Sequence, residues 1–495
     1  MDKNEIIWLS IVFILILSLR LFLVFQTSNF DPDAYNIIRH IDYEKKNLTP
    51  LINDELSYGG RAVVNLPAFS YIMTFFSVLF PTDIVGKILP NVFACLIIFV
   101  VYFISKDLTK NKFASLVSAI NAGFVPIFFA KTLNNISLYA LAIPLMFFIF
   151  YCFIKINDRK DYFFYFIFSL LLLRVLHVSV ILIIISLLLY LLLLKVEKIK
   201  TTRKEVELIL FSTFIVMWTL FLTFKKPILE HGFSLIWRNI PKSVLSNYFN
   251  ELNLFEAVHY LGIIPVLLGA YTLYRCTVVE KSKKSSLFVS FSLLVFILLW
   301  LRLIELEVGL MLLGIVFSIF LSKAYVFFFR FMGNVKISRL KNVFGILLVI
   351  IIISTSFTTS VVYANQSLKD SVSEEELKAL GWAKANTEQD SVILGTLEEG
   401  YLITAVAKRK NVADKNFIMI KDANQRVDNI DLLYSTVYET AALGVLDKYK
   451  VDYILFSDIA KKKYSIEQLK FINSKCFELV YSDGVKIYKP VCVLK

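Results

Sequence analysis

The sequence predicts a polytopic α-helical membrane protein with a polar α/β domain at its C-terminal end. Hydrophobic residues make up 57% of the 495 residues, and 45 of the residues are phenylalanine. They gather in repeated apolar runs of about 18 to 22 residues, which is the length that an α-helix needs to cross a bilayer. After Tyr363 the composition changes to that of a water-soluble domain.

Five basic clusters lie in short loops between the apolar runs of a chain whose net charge is +13. Such a bias is typical of cytoplasmic loops and orients the chain in the membrane. Nucleic acid is not favoured as a partner, because no soluble part of the chain combines a basic patch with interleaved aromatic residues. The clusters are Lys106, Lys110 and Lys112; Lys155, Arg159 and Lys160; Lys195, Lys198, Lys200, Arg203 and Lys204; Arg275, Lys281, Lys283 and Lys284; and Lys323, Arg330, Lys336, Arg339 and Lys341.

Placing all five clusters in the cytoplasm predicts about eleven spans in a transmembrane domain of residues 1–363. The apolar run 67–80 is too short to cross, so we expect it to be re-entrant or interfacial within a structured first external loop, 26–83. A long external loop is predicted at 225–257. The expected spans are 7–25, 84–105, 113–130, 137–154, 162–176, 178–194, 207–224, 258–274, 286–301, 308–329 and 343–363.

Residues 364–495 are predicted to form an α/β domain outside the membrane. Ser373 to Glu376 is a capping box that opens a helix through about residue 386. The runs 391–395 and 452–457 are typical of buried strands, with a helix between them at about 430–448. The chain closes on a hairpin whose Asp483-Gly484 pair is a signal for a type I′ turn.

Cysteine is sparse, and its five copies predict little chemistry. Cys476 and Cys492 face one another across the terminal hairpin, a spacing that permits a disulfide on the oxidising side of the membrane. Cys95 and Cys152 lie in predicted spans and Cys276 in a predicted cytoplasmic loop, so we expect these three to be packing residues or inert thiols.

An acidic pair directly behind the first span is the main candidate for chemistry. Carboxylates delivered to the membrane surface by a helix end are typical of the active site of a polytopic enzyme. Asp33 is the candidate general base, and its alternative role is that of a helix N-cap. Asp31 is a weaker candidate, because an Asp-Pro pair is a common start to a helix.

Basic residues of the predicted external face are candidates for contact with a phosphate. Arg39 follows the acidic pair and serves either as a phosphate contact or as an ion-pair partner of the acids. Arg61 follows Gly59-Gly60, which permits close approach of the backbone to a ligand. The remaining two positions are Arg174 with His177, where the alternative for Arg174 is snorkelling, and Arg302, where the alternative is a self-neutralising cluster with Glu305 and Glu307.

Two stretches resemble a known family. Asp33-Ala-Tyr-Asn-Ile-Ile-Arg39 on an amphipathic helix resembles the Asp-x-Tyr-x-x-x-Arg stretch of GT-C class membrane glycosyltransferases, especially archaeal relatives of the oligosaccharyltransferase catalytic subunit. Gly400-Tyr401-Leu-Ile-Thr-Ala-Val-Ala-Lys-Arg409, followed by Asp414, is similar to the segment around the family's Trp-Trp-Asp-Tyr-Gly motif.

The resemblance implies a site but also marks departures from it. Glu398, Glu399, Gly400 and Tyr401 occupy the acceptor-binding region, with Thr396-Leu397-Glu398-Glu399 in place of Trp-Trp-Asp-Tyr. Glu230 stands where the family has an acidic residue on its mobile external loop. The family holds a divalent metal partly with acids on the second external loop, where this chain has Asn134-Asn135-Ile136-Ser137, so Asp33 is the one implied ligand for Mg²⁺ or Mn²⁺.

The resemblance implies a cell-membrane glycosyltransferase that takes a sugar from a polyprenyl-phosphate-linked donor and passes it to a protein or glycan acceptor on the external face. Two alternatives remain open. One is a non-catalytic protein of the same fold that binds a lipid-linked glycan or a partner, which the missing second-loop acids favour. The other is a transporter or flippase, which would place charged or Gly/Pro-broken residues near span midpoints.

Overall fold

The computed structural model describes residues 3–64, 66–249, 253–334, 340–473 and 475–493. Its contacts divide the chain into two compact units. The helical unit comprises residues 1–26, 83–222 and 249–369, and the α/β unit comprises residues 27–82, 223–248 and 370–495. This division differs from the predicted boundary at residue 363, because two segments of the predicted transmembrane domain pack with the C-terminal residues.

Helices dominate the first three quarters of the chain. They are α1 (Lys3–Val24), α2 (Ala34–Asn47), α3 (Ala68–Leu79), α4 (Thr82–Cys95), α5 (Ile97–Thr109), α6 (Lys112–Gly123), α7 (Pro126–Lys131), α8 (Tyr139–Lys155), α9 (Asp161–Leu176), α10 (Val180–Val196), α11 (Arg203–His231), α12 (Lys242–Ser246), α13 (Leu254–Leu261), α14 (Ile263–Val278), α15 (Lys283–Trp300), α16 (Leu306–Gly333) and α17 (Lys341–Lys369). A short hairpin of β1 (Asn53–Asp54) and β2 (Arg61–Ala62) separates α2 from α3.

Every predicted span coincides with a helix or with a pair of consecutive helices. Within the described residues, six helical stretches are long and apolar enough to cross a membrane, beginning at Lys3, Thr82, Arg203, Lys283, Leu306 and Lys341. The pair α13 and α14 is long and apolar enough only when taken together, and it bends by 91° at Gly262, within the predicted span 258–274. The helix α3, in the predicted interfacial run, has 12 residues and does not reach a spanning length.

The basic clusters meet at one end of the helical unit, where buried acids join them. Asp107 pairs with Lys110, Lys155 and Lys284 of three different clusters. Other acids make further links: Glu5 with Lys106 and Lys112, Glu205 with Lys283, and Glu280 with Lys323 and Arg330. The clusters therefore share one end, as the charge rule requires; Lys336 and Arg339 of the fifth cluster lie outside the described residues.

The α/β unit is built on a five-stranded sheet of order β4-β3-β5-β7-β6. Strands β3 and β5 are parallel, as are β3 and β4, whereas β7 runs antiparallel to both β5 and β6. Its elements are α18 (Glu374–Asn386), β3 (Val392–Leu394), α19 (Gly400–Leu402), β4 (Lys410–Asn411), α20 (Ala423–Ser435), α21 (Glu439–Tyr449), β5 (Tyr453–Phe456), α22 (Asp458–Tyr464), β6 (Phe477–Asp483) and β7 (Val485–Pro490).

Two earlier segments complete this unit. Ser57 forms a parallel bridge with Asn411 at the sheet edge, and the Tyr58 amide donates to the Asn411 carbonyl at 2.9 Å. From the segment 223–248, the Asn239 side chain donates to the carbonyls of Phe417 and Ile420. The first predicted external loop and part of the predicted long external loop, 225–257, thus belong to the α/β unit.

The C-terminal elements follow the sequence signals with two corrections. The Ser373 capping box, the strands β3 and β5 and the terminal hairpin are confirmed, and Cys476 and Cys492 form a disulfide. The single helix expected at 430–448 is wrong, because the extended backbone at Thr436 separates α20 from α21. The type I′ turn is also wrong, since φ is positive at Gly484 and not at Asp483.

A separate correction, in the helical unit, concerns Cys276, which was expected in a cytoplasmic loop. It lies inside α14 and is 1% exposed. All three free cysteines are buried, which is compatible with packing residues or inert thiols.

Candidate active site

Asp33 stands at the start of α2, where the sequence allowed either a helix cap or a catalytic base. In the described part of the chain, its carboxylate caps no backbone N–H of the helix. It instead accepts hydrogen bonds from Lys415 Nζ, at 2.8 Å to Oδ1 and 3.0 Å to Oδ2. The side chains of Asp33 and Lys415 are 41% and 42% exposed, so the pair lies at a surface that a ligand can reach.

Asp31 lies near the same surface but has a different partner. Its Oδ1 atom accepts from the Ser371 hydroxyl at 3.4 Å, and its backbone carbonyl accepts from the Ala34 amide at the start of α2. Nearby, the Val372 amide donates to Phe30 O at 3.0 Å. These bonds fix the entry to α2 against the first residues of the C-terminal segment.

Arg39 and Arg61 hold two buried carboxylates. The Arg39 guanidinium donates to both oxygens of Asp54. Arg61 donates from all three of its nitrogens, to Asp54 at 3.0 and 3.2 Å, to Asp414 at 2.6 and 2.8 Å and to Asn416 O at 2.6 Å. Arg39 thus takes its ion-pair alternative, but with an acid that the sequence did not single out. The structure gives Arg61 a structural role, because these bonds use its five N–H groups.

The electrostatics of this network follow from burial and paired charge. Burial by itself would raise the pKa of Asp54, but the guanidinium groups of Arg39 and Arg61 outweigh burial and lower that pKa. Burial lowers the pKa of the adjacent His40 to about 4, with a further contribution from the charge of Arg39. The imidazole beside the network is therefore neutral at pH 7.

The two acids of the predicted acceptor region differ in environment. Glu398 pairs with Lys463 at 2.9 Å; burial opposes its ionisation, but the charges of Lys463 and Lys415 outweigh burial and lower its pKa. Glu399 is 1% exposed, accepts from the Ser457 hydroxyl and the Thr396 amide, and has its pKa raised to about 7 by burial. Glu399 is therefore part of the interior of the unit.

Gly400 and Tyr401 are also buried, behind these acids. A Cβ atom on Gly400 would lie 2.3 Å from the carbonyl oxygen of Ala413, so only glycine permits this approach of the two chain segments. The approach brings the turn that contains Asp414 beside α19.

The other predicted residues lie elsewhere in the chain. In the helical unit, Arg174 donates to the Thr219 hydroxyl and carbonyl at 2.9 and 2.6 Å, His177 Nδ1 accepts from the Ser179 amide, and the Arg302 guanidinium lies 5.3 Å from the centre of the Phe249 ring. Glu230 is an exposed residue in the last turn of α11, in the segment of that helix that belongs to the α/β unit. The α/β unit thus contains Asp31, Asp33, Arg39, Arg61, Glu230 and Glu398 to Tyr401, whereas Arg174, His177 and Arg302 belong to the helical unit.

No protein-family model and no curated protein matches the sequence. Solved structures do match the fold. The apo Archaeoglobus fulgidus oligosaccharyltransferase has a TM-score of 0.71 and 15% identity, over 93% of this chain and 70% of that one. ArnT from Cupriavidus metallidurans, bound to undecaprenyl phosphate, has a TM-score of 0.54 and 8% identity, over 99% and 98%. The chain has the GT-C fold. Arabinofuranosyltransferase AftD from mycobacteria shares it, at a TM-score of 0.59 and 12% identity over 99% and 40%.

A lipid phosphate is bound in two of these GT-C proteins. Besides undecaprenyl phosphate in ArnT, dolichol-phosphate and an inhibitory peptide are bound in a second structure of the A. fulgidus enzyme. At these identities the similarity shows the GT-C fold, and the activity of this chain has to be argued from its own residues.

A divalent metal does not fit the described residues around Asp33 in this GT-C chain. The A. fulgidus enzyme has also been described in a complex with Zn and sulfate. Here an ammonium group occupies Asp33, and the turn Asn134–Ser137 supplies no carboxylate. Among the described residues, one group of three side chains is close enough to hold a metal, Glu439 with Cys476 and Cys492, and the disulfide removes its two thiolates. Hard cations need several anionic oxygens, which this surface does not assemble.

Sequence reasoning missed three residues of this site: Asp54, Lys415 and Lys463. Lys415 directly follows Asp414, the last residue of the segment that resembles the family motif. This adjacency was the one sequence signal that could have marked Lys415 as a site residue. Nothing local marks it as the partner of Asp33, which lies 382 residues earlier.

Proposed function

We propose that this protein is a membrane glycosyltransferase that transfers a sugar from a polyprenyl-phosphate-linked donor to an acceptor on the external face of the membrane. The observation that carries the proposal is the placement of Asp33 on a GT-C fold. Its carboxylate is accessible and is not used to cap α2, and a cation lies beside it. A base and a cation side by side are what transfer from a phosphate-linked sugar requires.

In the proposed step, an acceptor hydroxyl oxygen attacks the anomeric carbon of the donor sugar. The bond between that carbon and the phosphate oxygen breaks, and its electron pair leaves with the polyprenyl phosphate. Asp33 takes the acceptor proton and returns it to water. The new glycosidic bond and the released lipid phosphate balance the step without a metal.

The donor class follows from the charges that the site offers. A monophosphate-linked monosaccharide leaves with less charge than a diphosphate-linked oligosaccharide, so single basic side chains suffice to stabilise it. Arg174, His177 and Arg302 are the remaining basic candidates for contact with the donor, since Arg39 and Arg61 hold acids in the α/β unit. We infer a protein or glycan acceptor met by Glu398 and by the loop that carries Glu230.

A second function is favoured by one specific observation. Thr396 and Leu397 stand where the family has two indoles, and Asn134 and Asn135 stand where it has acids. A GT-C protein that kept the fold and binds a lipid-linked glycan without transferring it would tolerate these losses. A measurement of sugar transfer distinguishes the transferase from the non-catalytic binding protein.

The test is transfer by the full-length protein reconstituted in lipid, with polyprenyl-monophosphate monosaccharides and diphosphate-linked oligosaccharides offered in parallel. We expect Asp33→Asn to abolish transfer while the protein stays folded and membrane-inserted. Asp31→Asn is the matched control and should cost less, because asparagine keeps an oxygen that can accept from the Ser371 hydroxyl. Parent-like transfer by Asp33→Asn would remove Asp33 from the chemistry. Binding of the donor by a parent protein that never transfers would favour the second function.

A further inference from the structure

The proposed reaction needs a positive charge near Asp33, because the leaving phosphate gains a negative charge when the bond to the sugar breaks. A pre-organised cation at that point stabilises the transition state more than the ground state. In the part of the chain that the structure describes, the surface around Asp33 does not assemble ligands for a divalent metal. Among the described residues, Lys415 supplies the ammonium group that contacts Asp33.

The position of Lys415 is fixed by the residue before it. Asp414 is fully buried, and its carboxylate accepts from Arg61, from Asn411 Nδ2 at 3.1 Å and from the Asn416 amide at 2.9 Å. The last of these bonds closes the turn around Lys415. The backbone of Lys415 is therefore held on both sides while its side chain stays partly exposed.

The same turn is tied to the loop that carries Asp33. Arg61 bridges Asp414 and Asp54, and Asp54 is held in turn by Arg39 of α2, the helix that Asp33 begins. Arg39 and Arg61 are thus positioning residues. They set the distance between the start of α2 and the turn that bears the ammonium group.

The acids of this surface are matched by cations of the chain itself. Lys415 pairs with Asp33, Lys463 pairs with Glu398, and the charge of Lys415 also lowers the pKa of Glu398. The two carboxylates of Asp33 and Glu398 each face an ammonium group, which lowers the negative charge that could attract a divalent ion. This is the physical reason for the poor fit of a metal.

We propose that Lys415 is a catalytic residue that takes the place of the divalent cation, held by Asp33 so that its ammonium group meets the phosphate of the leaving lipid. This inference rests on the proposed transferase function. The ammonium donates a hydrogen bond and transfers no proton, and the electron pair of the broken bond remains on the phosphate oxygen. One ammonium carries a single positive charge, which suits a monophosphate donor.

The experiment compares the parent with Lys415→Met, Lys415→Arg and Lys461→Met in the reconstituted transfer assay, with and without chelator. Lys461 is the matched control, because it also pairs with a carboxylate, Asp458, in the same unit and lies outside the site. We expect Lys415→Met to lower kcat roughly 100-fold, as loss of one transition-state contact does. Lys415→Arg should recover part of the rate, Lys461→Met should match the parent, and chelator should not slow the parent.

A second measurement does not depend on activity. Mn²⁺ binding to the purified protein, followed by its paramagnetic resonance spectrum, should be weak for the parent and stronger for Lys415→Met. It should be lost again in the double variant Lys415→Met with Asp33→Asn, because the freed carboxylate is then removed.

The outcomes separate this inference from the proposed function. An unchanged kcat for Lys415→Met, inhibition of the parent by chelator, or no gain of Mn²⁺ binding in Lys415→Met would each overturn the role of Lys415. A parent protein without transfer on any donor would overturn the proposed function, and the Mn²⁺ comparison would then still decide whether Lys415 excludes a metal from Asp33.

Discussion

Glu399 is a buried carboxyl group whose surroundings oppose its ionisation. The Ser457 hydroxyl and the Thr396 amide favour the charged form, but burial outweighs both and raises the pKa to about 7. The folded state therefore binds a proton more tightly than the unfolded state, in which the ordinary glutamate pKa lies near 4.5. This contribution to stability is complete below about pH 4.5 and is lost as the pH rises through 7.

We expect Glu399→Gln to remove this pH dependence. Between pH 5 and pH 8 the parent should lose about 3 kcal/mol more stability than the variant, the size that a shift of this magnitude implies. Glutamine keeps an acceptor for the Thr396 amide, so the fold should persist. The measurement is the thermal midpoint of both proteins across this pH range. Parallel curves would show that Glu399 does not set the dependence.

The sequence predicted several residues of the candidate site correctly, but it did not predict their hydrogen-bond partners. Asp33 and Arg39 were recognised from a local motif. The partner of Arg39, Asp54, lies 15 residues away, and the partner of Arg61, Asp414, lies 353 residues away. Such pairings depend on how distant segments fold together, which no local pattern encodes. The buried Arg20 is a second example. Its guanidinium donates hydrogen bonds to Asn91 and Thr132, and no pattern in the first apolar run predicts these contacts.

The terminal hairpin is stabilised by a disulfide between Cys476 and Cys492. Strands β6 and β7 pair from Phe477 to Asp483, and the Cys476–Cys492 disulfide closes the open end of the hairpin across 16 positions. A crosslink of this span restricts the unfolded chain and stabilises the fold by about 3 kcal/mol in the chain-entropy account.

Replacement of both cysteines by serine should lower the thermal midpoint of the α/β unit. Treatment of the parent with a reductant should lower it by the same amount, and the reductant should have no further effect on the double variant. An unaltered midpoint in the variant would mean that the pairing of β6 with β7 does not need the crosslink.

Elements were predicted well where a local rule decides them and poorly where packing does. The Ser373 capping box and the alternation of the hairpin are local, and both are confirmed. The break between α20 and α21 is not, because Thr436, Val437 and Tyr438 carry no proline or glycine signal. The bend at Gly262 did have a local signal that the prediction passed over, because Pro265 follows this glycine by three residues, a pattern typical of a helix end.

For the whole molecule, the shared end of the basic clusters is the strongest guide to orientation. Asp107 alone contacts lysines from three of them. Because positively charged loops are retained in the cytoplasm, this end should face inward and the C-terminal residues outward, with about eleven crossings between the termini.

Single cysteines introduced at Lys200 and Lys284 should be labelled by a membrane-impermeant reagent only after the cell is opened. A cysteine at Asp390, an exposed position in the α/β unit, should be labelled in intact cells. The three free cysteines are buried and serve as the background control. Labelling of Lys200 or Lys284 positions in intact cells would refute the orientation.

The class of the molecule was accessible from composition, since apolar runs and basic loops report directly on the membrane. The boundaries of the two units could not be predicted from composition. The sequence placed the first external loop in the transmembrane domain, whereas Ser57 and Tyr58 extend the edge of the C-terminal sheet. Long-range hydrogen bonds decide which unit a segment belongs to, and amino-acid composition does not predict these bonds.

The α/β unit is made of segments that the ribosome delivers at widely separated times, and this orders the biogenesis of the protein. Arg61 is synthesised 353 residues before Asp414. At ordinary elongation rates the first loop waits roughly 20 to 70 s for its partner. On the predicted topology the intervening helices insert during this interval, and one inverted helix would separate Arg61 from Asp414 across the bilayer. We therefore expect the Arg61–Asp414 contact to form only in chains that have inserted with the predicted topology.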